Sequence, residues 1–163
     1  NPGFYFVDSI GFKSISFDKS LCKEPVKASD GKISVLLVEP NKYPKMIEID
    51  DTLEAMQKVV GGDIEEYMPF EDEVAIICNE EGKITGMAPN RAVYEENSRE
   101  MLDIICGKFF VAYAPFEAER FQSLPPDLAE KYREKFKYPE RFMRVNNEIV
   151  AVPFKPVRAD KER

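Results

Sequence analysis

The sequence predicts an α+β fold: a mainly antiparallel sheet with one or two packed helices, preceded by an N-terminal β-hairpin extension. Two observations carry that expectation. Short β-prone runs outnumber helical patterns, and they mostly follow one another instead of alternating with helices. Only two stretches, 51–62 and 125–136, space their apolar residues as a helix does. At 163 residues the chain is the size of one ordinary domain, long enough to bury a core.

In chain order, Phe4-Tyr5-Phe6-Val7 and the alternation from Phe12 to Phe17 predict a hairpin around Asp8-Ser9-Ile10-Gly11. The polar stretch Asp18 to Lys32, with Pro25 and Asp30-Gly31, reads as a linker. Residues 1–32 are therefore expected to be an extension or the end of a neighbouring domain. The chain opens on Asn1 rather than Met, as a piece of a longer polypeptide would. One α+β domain is expected over 33–156, then a charged tail over 157–163.

Ile33 to Val38 is nearly continuous apolar, which suggests a strand buried on both faces. Met46 to Ile49 follows as a second strand. Asp51 is expected to cap a helix with Glu54 completing a capping box, and Leu53, Met56 and Val60 to form its buried face. Gly61-Gly62 ends it, with Gly62 in the left-handed cap. Phosphate-binding glycines precede a helix and these follow one, so a helix stop is the better reading.

Ile64 to Met68 and Val74 to Cys78 read as strands. Glu80-Glu81-Gly82 is expected to be a hairpin turn, with Gly82 at positive φ and Ile84 to Met87 returning as the partner strand. Pro89-Asn90-Arg91 then leads into a helical or irregular stretch ending near Ser98. Strands around Gly107 and a helix from Pro125 to Phe136 come next. Asn146-Asn147 marks a final hairpin between Arg141 to Val145 and Glu148 to Val152.

The composition, 44% hydrophobic and 33% charged, is that of a soluble protein, and no apolar run is long enough to span a bilayer. No signal-peptide pattern opens the chain, and a cytoplasmic location is expected. A net charge of −7 argues against gripping a nucleic-acid backbone and favours a basic or mixed-charge partner, or a small ligand. His is absent, which removes Ser-His-Asp and Cys-His nucleophile systems and His-containing zinc sites. Cys22, Cys78 and Cys106 lack Cys-x-x-Cys spacing, and Cys78 and Cys106 lie in apolar runs where a reduced, buried thiol is expected.

Three constellations remain. The carboxylates Asp63, Glu65, Glu66, Glu71, Asp72, Glu73, Glu80 and Glu81 form a solvated acidic face or a surface for a basic partner. Tyr132, Phe136, Tyr138 and Phe142 beside Arg133, Lys135, Lys137 and Arg141 read as an amphipathic helix with a basic edge, with base stacking as the alternative. Asn79, Asn90 and Arg91 are the candidate ligand-binding residues. Arg offers a planar fork for phosphate or carboxylate, and Asn both donor and acceptor. The alternative is that both Asn serve local turns and Arg91 pairs with an acid such as Glu95.

Val35-Leu36-Leu37-Val38-Glu39-Pro40, Leu53-Glu54-Ala55-Met56-Gln57, Val60-Gly61-Gly62, Asn79-Glu80-Glu81-Gly82-Lys83, Pro89-Asn90-Arg91-Ala92 and Asp103 to Phe110 carry a resemblance. Over Ile33 to about Pro156 the chain resembles a bacterial family of domains of unknown function. That family is met on conjugative elements, prophages and plasmids, often near antirestriction or large polyvalent proteins. The resemblance implies an accessory protein of mobile DNA, concerned with host defence, and brings no catalytic residues and no cofactor. The leading expectation is a non-enzymatic binding domain recognising a protein or a small anionic ligand, without metal or membrane. Two alternatives stand beside it: an enzyme or binder acting on a nucleotide-like phosphorylated ligand at Asn79, Asn90 and Arg91, and an acidic DNA mimic.

Overall fold

The computed structural model describes residues 8–9, 11–12 and 31–156. The chain forms two units, Asn1–Lys32 and Ile33–Arg163. In the first, β1 (Asp8–Ser9) pairs antiparallel with β2 (Gly11–Phe12), so the short pairing takes in Asp8, Ser9 and Gly11 of the expected turn together with Phe12 of the expected second strand. Phe4 to Val7, residues 13–17, the linker over 18–30, Cys22 and the tail over 157–163 lie outside the described residues, while Lys32, expected to close the linker, opens a strand.

The second unit is built on a five-stranded sheet in the order β4-β3-β9-β6-β5. Its strands are β3 (Lys32–Val38), β4 (Lys45–Asp50), β5 (Ile64–Tyr67), β6 (Val74–Asn79) and β9 (Phe109–Tyr113). β9 runs antiparallel to both β3 and β6, and β6 antiparallel to β5. The apolar runs of β3, β6 and β9 are continuous because both faces of the sheet are covered. Along β6, Val74, Ile76 and Cys78 join one buried cluster while Ala75 and Ile77 join the other. The alternation is the period-2 rule of a strand with two apolar neighbours.

One face is covered by α1 (Leu53–Val60) through Met56 and Val60. Its cap is Thr52, not Asp51: the Thr52 hydroxyl accepts from the Ala55 N–H at 3.1 Å, a bond worth about 1 kcal/mol. Position 55 is then alanine, so no capping box with Glu54 forms, and Asp51 instead holds Arg120 at 2.7 Å. Leu53 is 53% exposed and leaves the predicted buried face to Met56 and Val60. The left-handed cap is Gly61, at φ +84°, rather than Gly62. The Gly61 and Gly62 amides both donate to the Gln57 carbonyl, which satisfies one of the acceptors that a helix C-terminus leaves open. Gly62 is needed for another reason, since a Cβ there would lie 2.8 Å from the Asn79 amide nitrogen.

The other face is covered by α2 (Pro126–Lys135), through Ala129 and Tyr132, and by Val93 and Ile105 of a second sheet. That sheet pairs β7 (Pro89–Tyr94) with β8 (Met101–Cys106). Here two expectations fail. Pro89-Asn90-Arg91 opens a strand, not a helical stretch. The segment Ile84 to Met87 is no strand either: β6 already has β5 and β9 on its two sides, so no edge is vacant for it. Residues 80–86 coil instead through Thr85 N–H to Glu81 carbonyl and Met87 N–H to Gly82 carbonyl bonds. Gly86, not Gly82, takes the positive φ.

A final hairpin joins β10 (Glu140–Val145) to β11 (Glu148–Pro153). Asn146 and Asn147, at φ +53° and +69°, supply the two left-handed residues of a two-residue turn, as their sequence predicts. Two members of the aromatic cluster are core residues: Tyr132 and Phe136 pack on Phe70, and Phe136 also on Phe109, while Tyr138 and Phe142 are half-buried outside it. Among the described residues no helix is long and apolar enough to cross a membrane.

Candidate functional site

The three residues singled out from the sequence do not share a cavity. Asn90 and Arg91 are 1% and 0% exposed. A register shift between Pro89 and Arg91 makes Asn90 the extra residue of a β-bulge. The bulge turns two consecutive side chains inward where a regular strand would send one outward. The Asn90 amide nitrogen donates to the carbonyls of Val38, at 2.9 Å, and Gly107, at 2.8 Å. Its oxygen accepts from Arg91 Nη1 at 2.8 Å. Arg91 Nε donates to the Phe136 carbonyl at 3.0 Å and Nη2 to the Lys42 carbonyl at 2.8 Å.

Arg91 thus ties β7 to the β3–β4 turn and to the end of α2. Burial pulls its guanidinium down to about 10, with the Glu140 carboxylate opposing, so it stays charged at neutral pH. Among the described residues it forms no ion pair with Glu95 or any other acid; carbonyl dipoles stabilise the charge instead. A fork committed in this way offers nothing to an exterior phosphate, and the expected anion grip at Asn90 and Arg91 has no access.

Asn79 is separate. Its amide nitrogen donates to the Val60 carbonyl at 3.2 Å, and its oxygen accepts from the Glu81 N–H at 2.7 Å. It lines a pocket of about 260 Å³ with Glu65, Lys83, Asp103, Cys78 and Cys106. These side chains include two thiols, an amine and carboxylates, yet the group is quiet chemically. Lys83 is bonded to Asp103, which raises its pKa and keeps it a charged ammonium engaged in an ion pair. Burial, helped by the Glu65 and Asp103 carboxylates, pushes the Cys78 thiol up to about 12, and burial raises Cys106 too. The thiolate is the nucleophile, so at pH 8 Cys78 presents almost none. Iodoacetamide on the native protein should therefore leave Cys78 unmodified while urea-unfolded protein labels fully, as peptide mass spectrometry would report. Native labelling of Cys78 at the unfolded rate would contradict this protected state.

A further concavity lies elsewhere, a groove of about 430 Å³ between the start of α1, β5 and the loop over 114–121. Its floor includes Met56, Ile64 and Phe121, and three exposed apolar side chains open into it: Leu53 at 53%, Met68 at 36% and Phe116 at 68%. Glu66 and Glu119 stand at its rim with no ion-pair partner among the described residues, whereas Arg120 there is already bound to Asp51. The expected acidic face is only partly free. Asp72 holds Lys131 and Tyr132, and Glu73 accepts from the Phe116 N–H.

Residues 33–137 match a domain of unknown function, DUF3846. The chain belongs to that family. No curated protein and no solved structure matches it. The DUF3846 span holds Asn79, Asn90, Arg91 and the whole groove, and it ends before β10, short of the Pro156 limit expected from the resemblance. Sequence reasoning missed the groove because Leu53 fits a buried helical stripe, and Phe116 stands alone among Pro, Ala and acidic residues with no periodicity to flag it.

Proposed function

We propose that this domain is a non-enzymatic protein-binding module whose recognition surface is the groove beside α1. The observation that carries the reading is the pairing of three exposed apolar side chains (Leu53, Met68, Phe116) with two carboxylates, Glu66 and Glu119, that have no ion-pair partner among the described residues. Large exposed apolar side chains gathered in one concavity mark binding surfaces far more often than scattered ones do. The carboxylates select a segment with an apolar anchor flanked by Lys or Arg. Protonated thiols, an ion-paired Lys83 and a buried Arg91 support binding over catalysis. As part of the same proposal, and on the resemblance set out above, the domain serves a bacterial mobile element as an accessory protein concerned with host defence.

The test pans a randomised peptide library on the wild type and on the double variant Glu66→Lys, Glu119→Lys. Wild type should enrich apolar anchors next to Lys or Arg, and the variant should lose that enrichment with an unchanged urea midpoint, because both side chains are exposed. Enrichment without basic residues, or equal enrichment by both proteins, would remove the groove from consideration.

A further inference from the structure

We propose that the outward face of the β10–β11 hairpin is a self-association surface whose occupant is the same hairpin of a second copy of this chain. The register fixes the two faces. Glu140, Phe142 and Ala151 point toward the body, where the Glu140 carboxylate accepts from the Ala92 N–H at 2.9 Å. The opposite face carries Arg141 across from Val152, Met143 across from Val150, and Val145 across from Glu148. Met143, Val145, Val150 and Val152 are 47%, 46%, 37% and 40% exposed. The hairpin is thus apolar on both faces, where a sheet with one side in water usually keeps its apolar residues on the inner face alone. A two-stranded ribbon with a wet apolar face is marginal by itself, and covering that face stabilises it.

The charges say what covers it. Arg141 and Glu148 occupy opposite corners of this face, one at the base of β10 and one beside the turn. Neither has an ion-pair partner among the described residues. The Arg141 guanidinium is held 4.3 Å from the Phe154 ring centroid, which fixes its position at the corner. A uniformly basic or acidic partner satisfies one corner and opposes the other. A second copy satisfies both. A twofold axis through the centre of this face, perpendicular to the line from Arg141 to Glu148, lays each Arg141 against Glu148 of the other copy and leaves apolar side chains between them. Such an interface is isologous and closes at two chains.

The experiment is sedimentation velocity on the full chain over a concentration series, with circular dichroism and urea midpoints as folding controls. The wild type should be a dimer. Met143→Glu should give a folded monomer. Arg141→Glu and Glu148→Arg should each raise the dissociation constant by about tenfold or more, and the double exchange should bring it back toward wild type. Because the Arg141→Glu and double variants share the loss of the Arg141–Phe154 stack, recovery in the double variant reports the pair alone. A wild type that stays monomeric at every concentration, a Met143→Glu variant that still dimerises, or a double exchange no better than the singles overturns the proposal. The readout is independent of the groove, whose peptide enrichment can fail or succeed without moving it.

Discussion

Arg91→Ala is expected to destabilise the domain by about 3 to 5 kcal/mol, because it removes a buried charge and strands the carbonyls that surround it. The side chain is fully buried and donates to the carbonyls of Phe136 and Lys42 and to the Asn90 amide oxygen. One truncation therefore releases β7, the β3–β4 turn and the end of α2 together. Arg91→Lys should lose most of the same stability, since one ammonium cannot point along the three directions the planar fork serves. Urea unfolding at neutral pH measures both. A loss below about 1 kcal/mol for Arg91→Ala would mean that water replaces the guanidinium and that the site is open to solvent. An anion grip would give the opposite pattern, with binding lost and the urea midpoint unmoved.

Gly82→Ala should rank next. A Cβ at Gly82 would sit 2.8 Å from the Cys106 carbonyl oxygen, a backbone atom on β8 that has no rotamer to swing aside. Moving it displaces either β8 or the coil over 80–86, at a cost of about 3 kcal/mol. Gly86→Ala makes a useful contrast. Gly86 has a positive φ of +83°, but a Cβ there would meet nothing within 4 Å, so only backbone strain of about 1 kcal/mol opposes the change. The two urea midpoints should therefore separate clearly. Equal midpoints would show that the coil slides away from β8 freely.

The central sheet is legible in the sequence because its signals are local and redundant. Val74 to Cys78 and Phe109 to Tyr113 are apolar on both faces, and Asn146-Asn147 can only turn one way. The failures share a cause in pairing, which no window of residues contains. Ile84 to Met87 has strand-like composition, yet β6 has no free side to receive it. Pro89 and Asn90 carry turn chemistry, yet the partner strand β8 and a bulge make them strand residues. At the candidate site the sequence shows the chemistry of the side chains but not their depth. Arg91 does hold oxygen atoms with its fork, but they belong to the protein's own backbone, a fact set by segments 45 to 52 residues away in sequence.

The place of β9 has a consequence for how the chain is made. Val111 pairs with Leu36 on one side and Ile76 on the other, so the strand at the middle of the sheet is the last of the five to leave the ribosome. Until it arrives, β3 and β6 have no common partner and each keeps an unpaired edge and two apolar faces. Closing loops of this length before any pairing is rewarded makes for slow folding. Nascent chains cut short before Phe109 therefore hold two sticky, half-paired strands in waiting, the species on which chaperones act and from which aggregates grow.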